Sequence, residues 1–169
     1  MNKKIFALTT LMITLSLLVL PVLATPAEII PVTIVSTPVQ DAGSAPIRSW
    51  TTNGDIFQAR GKTSVYTFVM TIPDEDPITG ISENSLNTRI NNKLDIATII
   101  YDATWTTDDG TFVGKIQMKI INYNQPAPEW ILQVHGTLRG TGAYHRQTLR
   151  VMYEGSVIGA MWDGILIRP

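Results

Sequence analysis

Cysteine is absent from the 169 residues. That absence removes disulfide cross-links, thiolate metal sites, a cysteine nucleophile and a lipid-modified processing site. Histidine is scarce: His135 and His145 form no His-x-His or His-Glu-x-x-His spacing, so a transition-metal site would need ligands scattered over several strands. Charged residues make up only 16%, Lys+Arg 13 against Asp+Glu 14, with no basic block to neutralise phosphates. Nucleic acid is therefore not an expected partner. No Gly-x-Ser-x-Gly elbow exposes a nucleophile, and Gly140-Thr141-Gly142 lacks the following lysine and helix of a phosphate loop. No catalytic residue, metal or cofactor is assigned. Asp74-Glu75-Asp76 and Asp108-Asp109 sit among turn residues, where carboxylates are ordinarily solvated.

There is one long apolar run, at the N-terminus. Lys3 and Lys4 precede Ile5 to Leu20, and Val22-Leu23-Ala24 supplies a small-residue exit after Pro21. This pattern predicts a secretory signal over residues 1–24 and a secreted or otherwise extracytoplasmic domain. The alternative is an uncleaved anchor, since Ile5 to Leu23 is 19 residues, close to what a bilayer core requires. A membrane association is expected only through that segment. Removal of the leader takes away two lysines, leaving 11 minus 14, a net charge of −3. About 145 remaining residues bury roughly two thirds of their unfolded surface, enough for a core without covalent staples.

Residues 25–46 carry Pro26, Pro31, Pro38 and Pro46, which argues against a helix and against a central strand. A semi-extended linker is expected there, with an edge strand near residues 33–36. From residue 47 to 169 the pattern has period two. Tyr66, Phe68, Met70 and Ile72 alternate with Val65, Thr67, Val69 and Thr71, and Phe112, Ile116, Met118 and Ile120 oppose Lys115, Gln117 and Lys119. The segment Thr107-Asp108-Asp109-Gly110 predicts a hairpin in which Asp-Gly supplies a left-handed turn residue. Strands are expected over 47–52, 54–60, 63–72, 94–106, 111–121, 130–139, 148–154 and 157–167. Residues 82–94 stand apart: Leu86, Ile90 and Leu94 are four apart behind a capping Ser82, which predicts a short helix or an ordered loop.

Short connections favour a meander. The expected fold is all-β, an antiparallel meander closed into a small seven- or eight-stranded barrel, with a two-layer sandwich as the alternative. The stretches Gly110-Thr111-Phe112-Val113-Gly114 and His135-Gly136-Thr137-Leu138-Arg139-Gly140-Thr141-Gly142-Ala143-Tyr144 resemble the glycine-rich strands of the allene oxide cyclase and dirigent barrel superfamily, over the C-terminal part of the chain. The resemblance implies an eight-stranded antiparallel barrel with an apolar cavity and, by fold analogy alone, an isomerase or cyclase.

Tyr66, Phe68, Trp105, Trp130, Leu132 and Trp162 are the candidates for a cavity wall that holds a small apolar ligand. The same residues equally suit a filled core, because eight strands leave an interior just wide enough for side chains; the protein is then a surface or interaction module. Alternation sets Gln133, His135, Thr137 and Arg139 opposite Trp130, Leu132, Val134 and Leu138. The dry face is expected inside, and the alternative is a polar cavity lined by Gln133, His135 and Arg139. Tyr144, His145 and Arg146 form a further polar cluster at a sheet end. The leader reading predicts an exported protein beginning at Thr25. Intact mass spectrometry checks this, and a mature species that retains Lys3 and Lys4 contradicts it.

Overall fold

The computed structural model describes residues 26–156 and 161–169; the leader, its processing site at Ala24 and the connection 157–160 lie outside the described residues. The described residues form β1 (Glu28–Ser44), β2 (Arg48–Thr52), β3 (Ile56–Thr71), β4 (Ile78–Asn91), β5 (Ile96–Thr106), β6 (Gly110–Ile121), β7 (Ile131–Gly142), β8 (Thr148–Ser156) and β9 (Met161–Arg168). A single 3-10 turn, Ala127–Glu129, interrupts the β6–β7 connection. Every neighbouring pair is antiparallel. The sheet runs β1-β9-β8-β7-β6-β5-β4-β3-β2, and an additional pairing of β1 with β3 closes it. The result is an eight-stranded barrel of β1 and β3 to β9, with β2 as an extra strand on β3. Closure decides against the two-layer sandwich.

β1 is where the structure departs furthest from the expectation of a linker or short edge strand. It is a full stave of the barrel, pairing β9 from Glu28 opposite Arg168 to Val35 opposite Met161, and β3 from Thr33 opposite Thr71 to Ser44 opposite Thr63. Among the described residues Thr33, Ile34 and Val35 are paired on both sides. Pro31 pairs with Ile165 of β9 and lies beyond the stretch bonded to β3, where a missing N–H breaks no second ladder. The barrel domain therefore begins near residue 28 and not at 47.

Residues 82–94 form no helix. Residues 78–91 are β4, paired along β3 and β5, and Ser82, Asn84 and Leu86 are buried in alternation. Four asparagines between 84 and 92 weaken a helix, and two sheet neighbours offer every backbone group a partner. The strands expected over 54–60 and 63–72 are one continuous β3 with a bulge: Gly61 has φ +71, and the register shifts between Arg60 and Lys62. The extra residue changes the phase, so Ala59 points inward before it and Tyr66, Phe68 and Met70 after it.

The core fills the half of the barrel that contains the β3–β4, β5–β6 and β7–β8 turns. Phe68, Met70, Ile72, Phe112, Leu138, Leu149 and Leu166 are almost wholly buried there, and Tyr144 stacks on Phe112 with ring centroids 4.7 Å apart. Arg168 closes the same end by donating Nη1 and Nη2 to the two Glu75 oxygens at 2.6 and 2.8 Å. Those bonds and the guanidinium charge hold the Glu75 carboxyl below its ordinary range. Glu83, Asp102, Lys115, Arg139 and Arg150 are exposed on the outer face, and Lys115 pairs with Asp102.

The β5–β6 hairpin forms where expected, but Gly110 does not supply a left-handed residue: it is not among the positive-φ positions. Thr107 Oγ1 organises the turn by accepting the amides of Asp109 and Gly110 at 3.2 Å each. Gly110 is required because a Cβ there would lie 2.3 Å from the Thr141 carbonyl oxygen. Two consecutive left-handed residues instead occur at Asn53 and Gly54, with φ 53 and 72, joining β2 to β3. Gly54 has no atom within 4 Å of a built Cβ. Gly54→Ala should therefore cost about 1 kcal/mol from backbone strain alone, and Gly110→Val about 2 kcal/mol or more from overlap with a neighbouring strand. Urea midpoints rank the two; equal or reversed costs contradict the overlap.

Candidate functional site

Above the filled half, the barrel interior opens into a cavity of about 320 Å³. Its wall is drawn from all eight staves: Ser36 from β1, Tyr66 from β3, Ser82 and Asn84 from β4, Tyr101 and Trp105 from β5, Ile116 and Met118 from β6, Leu132 and Val134 from β7, Tyr153 from β8, and Met161 and Trp162 from β9. The void exists because this level of the barrel has small side chains on one side. Ser36, Ser82 and Asn84 occupy inward positions here, whereas lower down β1 carries Val32 and Ile34 and β3 carries Phe68 and Met70.

Register explains how the floor is assembled. Tyr66, Ser82 and Trp105 are successive cross-strand partners, so a hydroxyl lies between a phenol and an indole along one row. Asn84 Nδ2 donates to Ser82 Oγ at 3.0 Å. Trp105 packs on Phe68, ring centroids 4.9 Å apart, and that contact joins the cavity floor to the core. Trp105 is 3% exposed, yet its Nε1 has no hydrogen-bond partner among the described residues. Tyr101 donates its hydroxyl to Met118 Sδ at 3.7 Å. Burial, and secondarily the neighbouring Tyr66, push the Tyr101 phenol far above its ordinary value, so it stays neutral. Tyr153 donates to the Ser156 carbonyl at 2.5 Å, which fixes its ring at the cavity wall.

Of the six apolar candidates, Tyr66, Trp105, Leu132 and Trp162 line the cavity together. Phe68 lies beneath it as part of the core. Trp130 is elsewhere. It caps the 3-10 turn before β7, stacks on Tyr123 at 5.3 Å, and donates Nε1 to the Gln125 carbonyl at 2.9 Å. Pro126 and Pro128 start that turn late enough that the strand alternation begins one residue after Trp130.

The alternative polar cavity is contradicted by the side-chain directions in β7. His135 and Arg139 are exposed, and Gln133 donates to Glu154 at 3.1 Å on the outer face. Val134 and Leu138 are buried on the opposite side. The cluster of Tyr144, His145 and Arg146 divides: Tyr144 turns inward as a plug, while His145 and Arg146 are exposed. Among the described residues no group of three His, Cys, Asp or Glu could hold a metal ion.

Ser36, Ser82, Asn84, Tyr101 and Tyr153 were not foreseen as wall residues. For β4 a signal existed, since Ser82, Asn84 and Leu86 alternate with Glu83, Ser85 and Asn87, but the four-residue leucine spacing masked it. No protein-family profile, curated protein or solved structure matches this chain.

The division of β7 into two faces has a direct energetic test. Leu138→Ala should cost about 2 to 5 kcal/mol through the cavity it leaves, and His135→Ala less than about 0.5 kcal/mol. Chemical denaturation measures both; a costlier histidine change reverses the faces.

Proposed function

We propose that this protein is an exported barrel that binds a small, largely apolar molecule in the cavity bounded by Tyr66, Trp105, Leu132 and Trp162. The observation that carries the reading is the unfilled space itself. Packed protein interiors hold few voids larger than a water molecule, whereas about 320 Å³ is within the range of small-molecule sites. Aromatic and aliphatic walls with a few polar groups are the usual composition of such sites. The resemblance to the allene oxide cyclase and dirigent superfamily points the same way, toward a barrel that encloses a ligand. The lining offers phenols and no carboxylate, imidazole or amine among the described residues. That composition supports binding in preference to acid–base catalysis. Export rests on the N-terminal pattern of two lysines, an apolar run and a small-residue exit.

Leu132 is half-buried at the wall, so enlarging it fills the space without disturbing the packed half. Equilibrium dialysis with 2-isopropylnaphthalene should show saturable binding to the unsubstituted protein, and Leu132→Trp should weaken it at least tenfold while the circular dichroism spectrum and urea midpoint persist. Absence of saturable binding, or equal binding by the variant, supports the other reading, a surface module whose interior serves stability alone.

A further inference from the structure

We infer that the occupant of the cavity is a neutral amphipathic alcohol, its apolar body against β6 and β7 and its hydroxyl turned to Ser36, Tyr66, Ser82 and Asn84. The inference rests on the binding reading above and adds the chemical class and the orientation of the bound molecule. Its first support is the distribution of polar groups around the wall. The order of the staves puts β1, β3 and β4 side by side, and each wall residue they supply carries a hydroxyl or an amide. In a ring of eight staves β1 stands opposite β6, and β3 opposite β7. Those two opposing strands supply Ile116, Met118, Leu132 and Val134, whose side chains hold no nitrogen or oxygen. β4 faces β8, whose Tyr153 hydroxyl is already engaged by the Ser156 carbonyl. The cavity thus has a polar side and an apolar side, and a molecule that matches both is itself two-sided.

The second support is the hydrogen-bonding capacity left on the polar side. Tyr66 is inward by the alternation that buries Phe68 and Met70, and its phenol lies near enough to the enclosed Tyr101 phenol to oppose that group's ionisation. The Tyr66 Oη makes no hydrogen bond among the described residues, and it is not one of the unpartnered atoms that are sealed from access. It therefore stays open to a molecule in the cavity. Ser82 Oγ donates to Asn84 Oδ1 at 3.2 Å and accepts from Asn84 Nδ2 at 3.0 Å. That exchange uses one of the two Nδ2 hydrogens and one Oδ1 lone pair, so the amide keeps a donor and an acceptor. A hydroxyl, which both donates and accepts, answers an open phenol and a half-used amide together. Charge narrows the class further, because no wall residue is a cation or a carboxylate. An ionised ligand would lose its hydration without gaining a counter-charge, a cost recovered only from close pairing.

Three shape-matched probes separate the parts of this inference: 2-(naphthalen-2-yl)propan-2-ol, 2-isopropylnaphthalene and 2-naphthoate, titrated at pH 7 into the purified protein. The alcohol should bind about fivefold tighter than the hydrocarbon, the worth of one net hydrogen bond. The naphthoate should bind at least about tenfold more weakly than the alcohol. Tyr66→Phe removes only the open oxygen, so the preference for alcohol over hydrocarbon should fall to about twofold or less. Should that variant fail to fold, nuclear Overhauser contacts in the unsubstituted protein decide: naphthyl protons should meet the Leu132 and Val134 methyls, and the carbinol methyls the Tyr66 ring. If the alcohol binds no better than the hydrocarbon, if its preference survives Tyr66→Phe, or if the contacts are reversed, the polar anchor is wrong and the apolar cavity stands. If the naphthoate binds tightest, neutrality is wrong. If no probe binds, the inference and the reading beneath it fall together.

Discussion

Closure of the sheet through β1 is the constraint on which the rest of this molecule depends. Thr33, Ile34 and Val35 are paired at once to Thr71, Met70 and Val69 of β3 and to Asp163, Trp162 and Met161 of β9. Ile34 sits in that seam with no exposed surface. An open nine-stranded meander would present two edges able to template pairing with other chains. β1 covers both, and its stretch beyond the β3 ladder carries Pro31, which offers no N–H to an incoming strand. A proline that reads as a linker signal is thus compatible with a stave when it lies outside one of the two ladders.

A closed eight-stranded barrel is narrow enough to be filled by side chains, so a cavity requires that some inward positions be small. Here the small residues are gathered on β1 and β4, as Ser36, Ser82 and Asn84, and the bulky ones are gathered toward the Tyr144 plug. Trp105 lies at the boundary. Its ring packs on Phe68 of the core and also lines the cavity wall.

The parts of this architecture that were legible from sequence share one property, a sharp contrast between faces. β6 and β7 alternate aliphatic with charged or amide side chains, so their pairing, their inward residues and the exterior position of His135 and Arg139 follow from burial energetics. β4 was illegible because the cavity reverses the contrast: Ser82 and Asn84 point inward where a packed strand would carry aliphatics, and the eye is drawn to the leucine spacing instead. β1 was illegible because proline rules describe a strand bonded on both sides along its length. Gly110 was assigned to the right turn for the wrong cause, since a requirement for left-handed backbone and a requirement for close approach of Thr141 both select glycine. Trp130 missed the wall because β7 begins one residue after it, at Ile131, which only the local 3-10 geometry determines.

Closure also ties the cavity to the folding of the whole chain. Each of β3 to β9 pairs with its predecessor, so those pairings are local, whereas β1 meets β9 across more than a hundred residues. The entropy of closing so long a loop is recovered only when the strands between β1 and β9 are already largely paired. Ser36 is placed by the local pairing of β1 with β3, but Ile34 is also the cross-strand partner of Trp162. Before β1 meets β9, therefore, the wall is not closed and Trp162 lacks its partner. Any molecule that binds the finished cavity then stabilises the β1 seam by mass action, which makes the longest-range contact in the chain also the one most responsive to ligand.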